Sequence, residues 1–193
     1  MTNTAGKTKH FAADKDAAQH LESVGAYALM GWLIGTIVPL FGFGIMYLGK
    51  LKAPAAVAPT SGETDLTVLF ILIGVLCSVA GLIAGAVIGR LIIFIRRLHW
   101  TLPIIISPIF GLIWGIMTGG AGGFPVFVVG ALFGAIVAVP FGVLGFLIFT
   151  ALYESLARRT GGILGWRKVS FAAIGTLFLL RIGELLWFFV INK

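Results

Sequence analysis

The chain has 193 residues, 59% of them hydrophobic and only 11% charged, where an average soluble domain carries about 25% charged residues. Its mean hydropathy of +1.08 excludes a water-soluble globule and a disordered chain, and the single cysteine, Cys77, excludes a disulfide-stapled scaffold. The net charge of +7 comes from basic residues beside apolar runs, without repeated basic and aromatic blocks, so it points to membrane topology and not to nucleic acid.

Residues 1–24 mix Lys7, Lys9 and Lys15 with Asp14, Asp16 and Glu22. A secretory leader would lack the acids and end in a small-residue cleavage site. Ala13, Ala17, Leu21 and Val24 fall at helical spacing, which predicts a short amphipathic helix on the membrane surface. The first span is expected at residues 25–49, interrupted by Pro39. A linker with Pro54 and Pro59 separates it from a second span at 66–95. The third span, 101–118, is the shortest and holds Pro103 and Pro108; the glycine run GGAGG at 119–123 reads as a tight outer turn. The fourth, 124–153, contains Pro140, and the fifth covers 169–191. Each apolar stretch approaches the roughly 20 residues that a helix needs to cross the hydrocarbon. The expected fold is all-α: a polytopic transmembrane bundle of about five spans over residues 25–193, behind a cytoplasmic tail.

Five spans put the termini on opposite sides. Lys7, Lys9, Lys15, Arg90, Arg96, Arg97, Arg158, Arg159, Arg167 and Lys168 then share one side, against Lys50, Lys52 and Lys193 on the other. Cationic loops stay in the cytoplasm, so ten against three predicts the amino end inside and the carboxyl end outside. The expected location is a bacterial cytoplasmic (inner) membrane, as a multi-pass protein.

Small residues recur every fourth position in three spans: Cys77, Gly81, Gly85, Gly89; Ser107, Gly111, Gly115, Gly119; and Gly130, Gly134, Ala138, Gly142. The first span adds Gly31 and Gly35. Such spacing keeps one helix face bare and lets backbones approach, which drives association in lipid. Packing within one chain and packing between chains are both compatible with the pattern.

Arg181 and Glu184 lie near the middle of the fifth span, one turn apart. A charge at that depth is costly unless paired, so the plainest reading is mutual neutralisation. The functional alternative is a site for a proton, an ion or an anionic headgroup. Arg96, Arg97, Arg158, Arg159, Arg167 and Lys168 form a basic end whose alternative role, besides topology, is contact with anionic lipid headgroups. No HExxH, GxSxG, P-loop or CxxC motif occurs; no enzyme, metal site or cofactor is expected. Two functions compete. One is a non-catalytic subunit or scaffold that packs through its small-residue (Gly/Ala/Ser) helix faces into a larger membrane assembly, with other membrane subunits or with copies of itself. The other is a small-solute or ion transporter built on proline-broken helices and the Arg181–Glu184 pair.

Overall fold

The computed structural model describes the backbone over residues 4–51, 63–160 and 164–191, and side chains over 17–40, 68–125, 128–160 and 164–183. Every element in it but one short 3-10 turn is an α-helix: α1 (Thr4–Leu51), α2 (Glu63–Arg96), α3 (Leu102–Gly123), α4 (Phe127–Arg159) and α5 (Trp166–Ile191), with the turn at Phe124–Val126. Among the described residues, four helices are long and apolar enough to cross a membrane, over Ala17–Leu40, Val68–Arg96, Leu102–Gly123 and Val128–Arg159. The protein is a helical membrane bundle.

Two boundaries differ from the sequence expectation. No break separates a surface helix from the first span: α1 is continuous through Gly25, and Glu22, Ser23, Ala26 and Tyr27 are all buried. Glu22 can enter the bundle because it finds hydrogen-bond donors there, which offsets its desolvation. The run GGAGG is not a turn either, since α3 continues to Gly123. That gives α3 22 residues, or about 33 Å at 1.5 Å per residue, enough to cross the hydrocarbon. Glycine is a weak helix former, but here the backbone of α4 lies where side chains would be, as the seams described below show.

The helices associate as two antiparallel hairpins, α1 with α2 and α3 with α4, and α5 packs on α4 and α1. Where the hairpins meet, Tyr27 of α1 stands edge-on to Phe149 of α4 (5.2 Å between ring centres, 89°) and near Phe146 and Tyr153. Trp114 of α3 joins the cluster 5.7 Å from Phe146. From this core Tyr27 donates to the Thr150 hydroxyl at 3.1 Å, and Trp114 Nε1 donates to the Gly81 carbonyl at 3.2 Å. Aromatic pairs of this geometry contribute about 0.5–1.5 kcal/mol each beyond their buried area. The outer faces are bulky and uncovered, with Val75, Val79, Leu82 and Ile83 on α2 and Leu132 and Ile136 on α4 among the exposed residues.

The interior prolines do not break their helices; Pro39, Pro108 and Pro140 all lie within continuous α-helix. At Pro108 the local chemistry is visible. Its missing N–H would have bonded the Ile104 carbonyl, and the buried Ser107 hydroxyl donates to that carbonyl instead, at 2.8 Å. Ser107→Ala should therefore destabilise the bundle by about 1–3 kcal/mol, the cost of an orphaned buried acceptor, seen as a lower thermal midpoint in detergent. A midpoint equal to that of the parent would remove this role.

Candidate functional site

The closest backbone approaches run along both hairpins, each in a single antiparallel register. In the first, a Cβ on Gly31 would press on the Gly81 carbonyl, one on Gly35 would sit 2.6 Å from the Cys77 carbonyl, and one on Gly85 would press on that of Tyr27. A Cβ on Gly89 would lie 2.8 Å from the Val24 Cα. Each step of four along α2 is matched by a step of four back along α1. In the second hairpin Gly111 faces Gly142, Gly115 faces Ala138 and Val139, Gly119 faces Gly134, and Gly123 faces Gly130. The sequence-predicted packing positions Gly31, Gly35, Gly81, Gly85, Gly89, Gly111, Gly115, Gly130, Gly134, Ala138 and Gly142 therefore all line contacts inside one chain. The sequence pattern also continues one step past Gly119, to Gly123. Between the hydroxyl-bearing turns of α1 and α2, Thr36 and Ser78 add a hydrogen bond of 2.9 Å.

At the basic end of the bundle lies a buried polar cluster that composition alone did not single out. Arg96, expected among the headgroups, turns inward: its Nε and Nη2 both donate to one Glu154 oxygen, at 3.0 and 2.5 Å. The Glu154 side chain is 5% exposed and that of Arg96 23%. The Arg96 guanidinium also lies 5.4 Å from the centre of the Tyr153 ring. The Tyr153 hydroxyl sits 3.1 Å from Ser23 Oγ and donates to Glu22 at 3.5 Å. The two Glu22 oxygens accept the backbone N–H groups of Leu164 (2.7 Å) and Gly165 (3.2 Å).

Those two residues lead into α5. Gly165 has φ +74°, a left-handed conformation that suits glycine, and its carbonyl accepts the N–H groups of Lys168 and Val169 that open the helix. One carboxylate of α1 thus fixes where α5 begins. Glu22→Ala would leave two N–H groups without their acceptor and should cost about 2 kcal/mol. Hydrogen exchange at Leu164 and Gly165 is the measurement. Faster exchange there, with the α1–α2 seam unchanged, is the expected result, and unchanged exchange would show that the carboxylate holds nothing. The signal in the sequence was slight: Glu22 and Glu154, two of only seven acids, flank their apolar runs at the end where Arg96, Arg97, Arg158, Arg159, Arg167 and Lys168 gather.

The opposite half of the bundle contains an apolar crevice of about 460 Å³ between the hairpins, within the common range for small-molecule sites. Val38, Cys77, Trp114, Thr118, Val137 and Ala138 are among its walls. The Cys77 thiol donates to the Thr118 carbonyl at 3.5 Å, while the Thr118 hydroxyl, buried, has no hydrogen-bond partner. A smaller apolar cavity, about 270 Å³, lies between α1, α4 and α5 and shares Ile34 and Val38 with the crevice.

Arg181 is half-buried at the edge of that smaller cavity. The side chain of Glu184 lies outside the described residues, and with it the expected Arg181–Glu184 pair. Arg97, Arg158, Arg159, Arg167 and Lys168 are exposed at the same end as Arg96, and the Arg158 guanidinium stacks over the Trp100 ring. Among the described residues no group of three or more His, Cys, Asp or Glu could hold a metal. Compared with protein-family models, with curated proteins and with solved structures, this chain matches none.

Proposed function

We propose that this chain is a non-catalytic helix-bundle subunit of a larger membrane assembly, set in a cytoplasmic (inner) membrane with its basic end in the cytoplasm. The observation that carries the reading is the closure of both glycine seams within the chain, backbone on backbone. The small-residue faces are thereby used up, and partner contact falls to the bulky apolar faces of α2 and α4 that the bundle leaves uncovered. Passage of a hydrophilic solute would need a polar path through the hydrocarbon. Here Arg96 is held by Glu154, the carbonyl freed at Pro108 is taken by Ser107, and the space between the hairpins has mostly apolar walls.

The test places a photo-crosslinking residue at Ile83 of α2 or Ile136 of α4, with Ala172 inside the bundle as the control position. The expected result is one reproducible adduct, with a distinct membrane protein or with a second copy of this chain, from the outer positions and none from the control. The competing transporter reading predicts that the chain purifies alone and moves ions or small solutes across liposomes, and that result would replace the subunit reading.

A further inference from the structure

Arg90 stands apart from the other cations of the basic end. It is exposed on the outer face of α2, in a stripe with Ile83, Val87 and Phe94, which are exposed as well. Steps of three and four residues keep these positions on one helix face. Among the described residues no acid pairs with Arg90. The ion pair at this end joins Arg96 to Glu154, and the Glu22 carboxylate is taken up by the N–H groups of Leu164 and Gly165. A guanidinium does not discard its proton to escape an apolar surface, so it needs an anion from outside the chain.

The level of Arg90 in the bilayer follows from its neighbours. The apolar run from Val68 to Gly89 is by itself roughly 33 Å long, enough to cross the hydrocarbon, so Arg90 stands at the edge of that layer. A second helix places the edge similarly. Gly89 packs on Val24 of α1, and the next residue of α1, Gly25, packs on the ring of Trp166, the exposed first residue of α5. Exposed tryptophan collects at the membrane interface, and Arg167 and Lys168 follow it directly. Arg90 is therefore at the height where lipid phosphates begin.

Charge at this height is one-sided. Arg97, two turns further out on the same side of α2, is exposed, as are Arg158, Arg159, Arg167 and Lys168, whereas both acids whose side chains are described here, Glu22 and Glu154, are buried. A zwitterionic lipid with its phosphate at Arg90 would turn its own ammonium group toward these cations. An anionic lipid brings no such charge. A carboxylate from a neighbouring helix fits less well, since it would be buried with Arg90 between two proteins and both charges would lose their water. A lipid phosphate stays in contact with the wet interface.

We propose that Arg90 binds the phosphate of an anionic phospholipid in the leaflet at the basic end, with the acyl chains lying along Val87 and Ile83. The site does not depend on the subunit reading, because a lipid seated there leaves the remaining outer faces of α2 and α4 open to a partner.

The experiment uses the full chain with the photo-crosslinker benzoylphenylalanine in place of Val87, one turn deeper than Arg90 on the same stripe. The protein is reconstituted in liposomes of equal phosphatidylglycerol and phosphatidylcholine with matched acyl chains, and lipid adducts are counted by mass spectrometry. Phosphatidylglycerol adducts should exceed phosphatidylcholine adducts about fivefold, the worth of one cation near an anionic surface. Arg90→Gln should bring the ratio close to one, and Arg90→Lys should keep most of it. The same crosslinker at Ile136, on the outer face of α4, should show no preference. Each variant is first shown to unfold with the parent in detergent. Equal adducts in the parent, or a preference that survives Arg90→Gln, would overturn the proposal. So would a protein adduct at position 87 that Arg90→Gln abolishes, which would assign Arg90 to a carboxylate of a second copy. Loss of the lipid preference with the Ile83 protein adduct retained would leave the subunit reading in place.

Discussion

Replacing Glu154 with Ala should lower the stability of the bundle by about 3 kcal/mol, the lower part of the range for breaking a buried ion pair. The lower part applies because the Arg96 side chain remains 23% exposed and can reach toward headgroups once its partner is gone. The loss arises from stranding the guanidinium between α2 and α4, beside Tyr153, where among the described residues no other acid pairs with it. The double variant Arg96→Met with Glu154→Leu separates the two components of this effect. It removes both charges and keeps apolar volume, so it should regain most of the lost stability. Unfolding midpoints in a mild detergent, titrated with sodium dodecyl sulfate, give the comparison. If Glu154→Ala unfolds with the parent, or if the double variant is no better than the single, the pair is not what holds this end together.

Gly134→Leu should be at least as damaging, costing about 3 kcal/mol or more, above the usual range for an overpacked core. Its Cβ would press on the Gly119 carbonyl, and that atom belongs to a helix backbone, which cannot swing aside as a flexible side chain can. Gly111→Leu and Gly81→Leu should behave alike, because their Cβ atoms would press on the carbonyls of Gly142 and Gly31. The decisive contrast is positional. Gly74 and Gly120 have nothing within 4 Å of an added Cβ. Gly120→Ala and Gly74→Ala should therefore leave stability within about 1 kcal/mol of the parent, shifted upward by alanine's better helix propensity. Were all these glycines equally sensitive, or equally tolerant, general glycine content and not the seam would explain the sequence.

The two predictions probe opposite ends of one construction. At the basic end the helices are joined by side chains that reach across: Arg96 to Glu154, Ser23 to Tyr153, and Glu22 to the start of α5. Along the hairpins they are joined by the removal of side chains, from Gly89 against Val24 near the basic end to Gly119 against Gly134 and Gly123 against Gly130 at the other. Both solutions follow from the solvent. In lipid a helix gains little by burying leucine against leucine, so association rests on close backbone contact and on interhelical hydrogen bonds. The space between the hairpins, with Thr118 in its wall, is what remains where neither device operates.

Composition and periodicity were sufficient to read an all-α membrane bundle, because a run such as Val68–Gly89 has one stable form in hydrocarbon, a helix with its own hydrogen bonds closed. The four-residue spacing of Gly81, Gly85 and Gly89 also identified a bare helix face, since spacing alone determines which residues share a face. What covers that face is a different matter: Gly111 opposite Gly142, and Gly31 opposite Gly81, are pairings between distant segments, and no local pattern encodes them. The same limit explains Arg96. Beside Arg97 at the end of an apolar run it reads as a headgroup residue, and only the packing of α4 brings Glu154 within reach. Hydropathy along a chain is local and survives in one dimension. The partner of a buried charge, the acceptor of a hydroxyl and the width of a crevice depend on helices separated by tens of residues, so only the tertiary structure decided them.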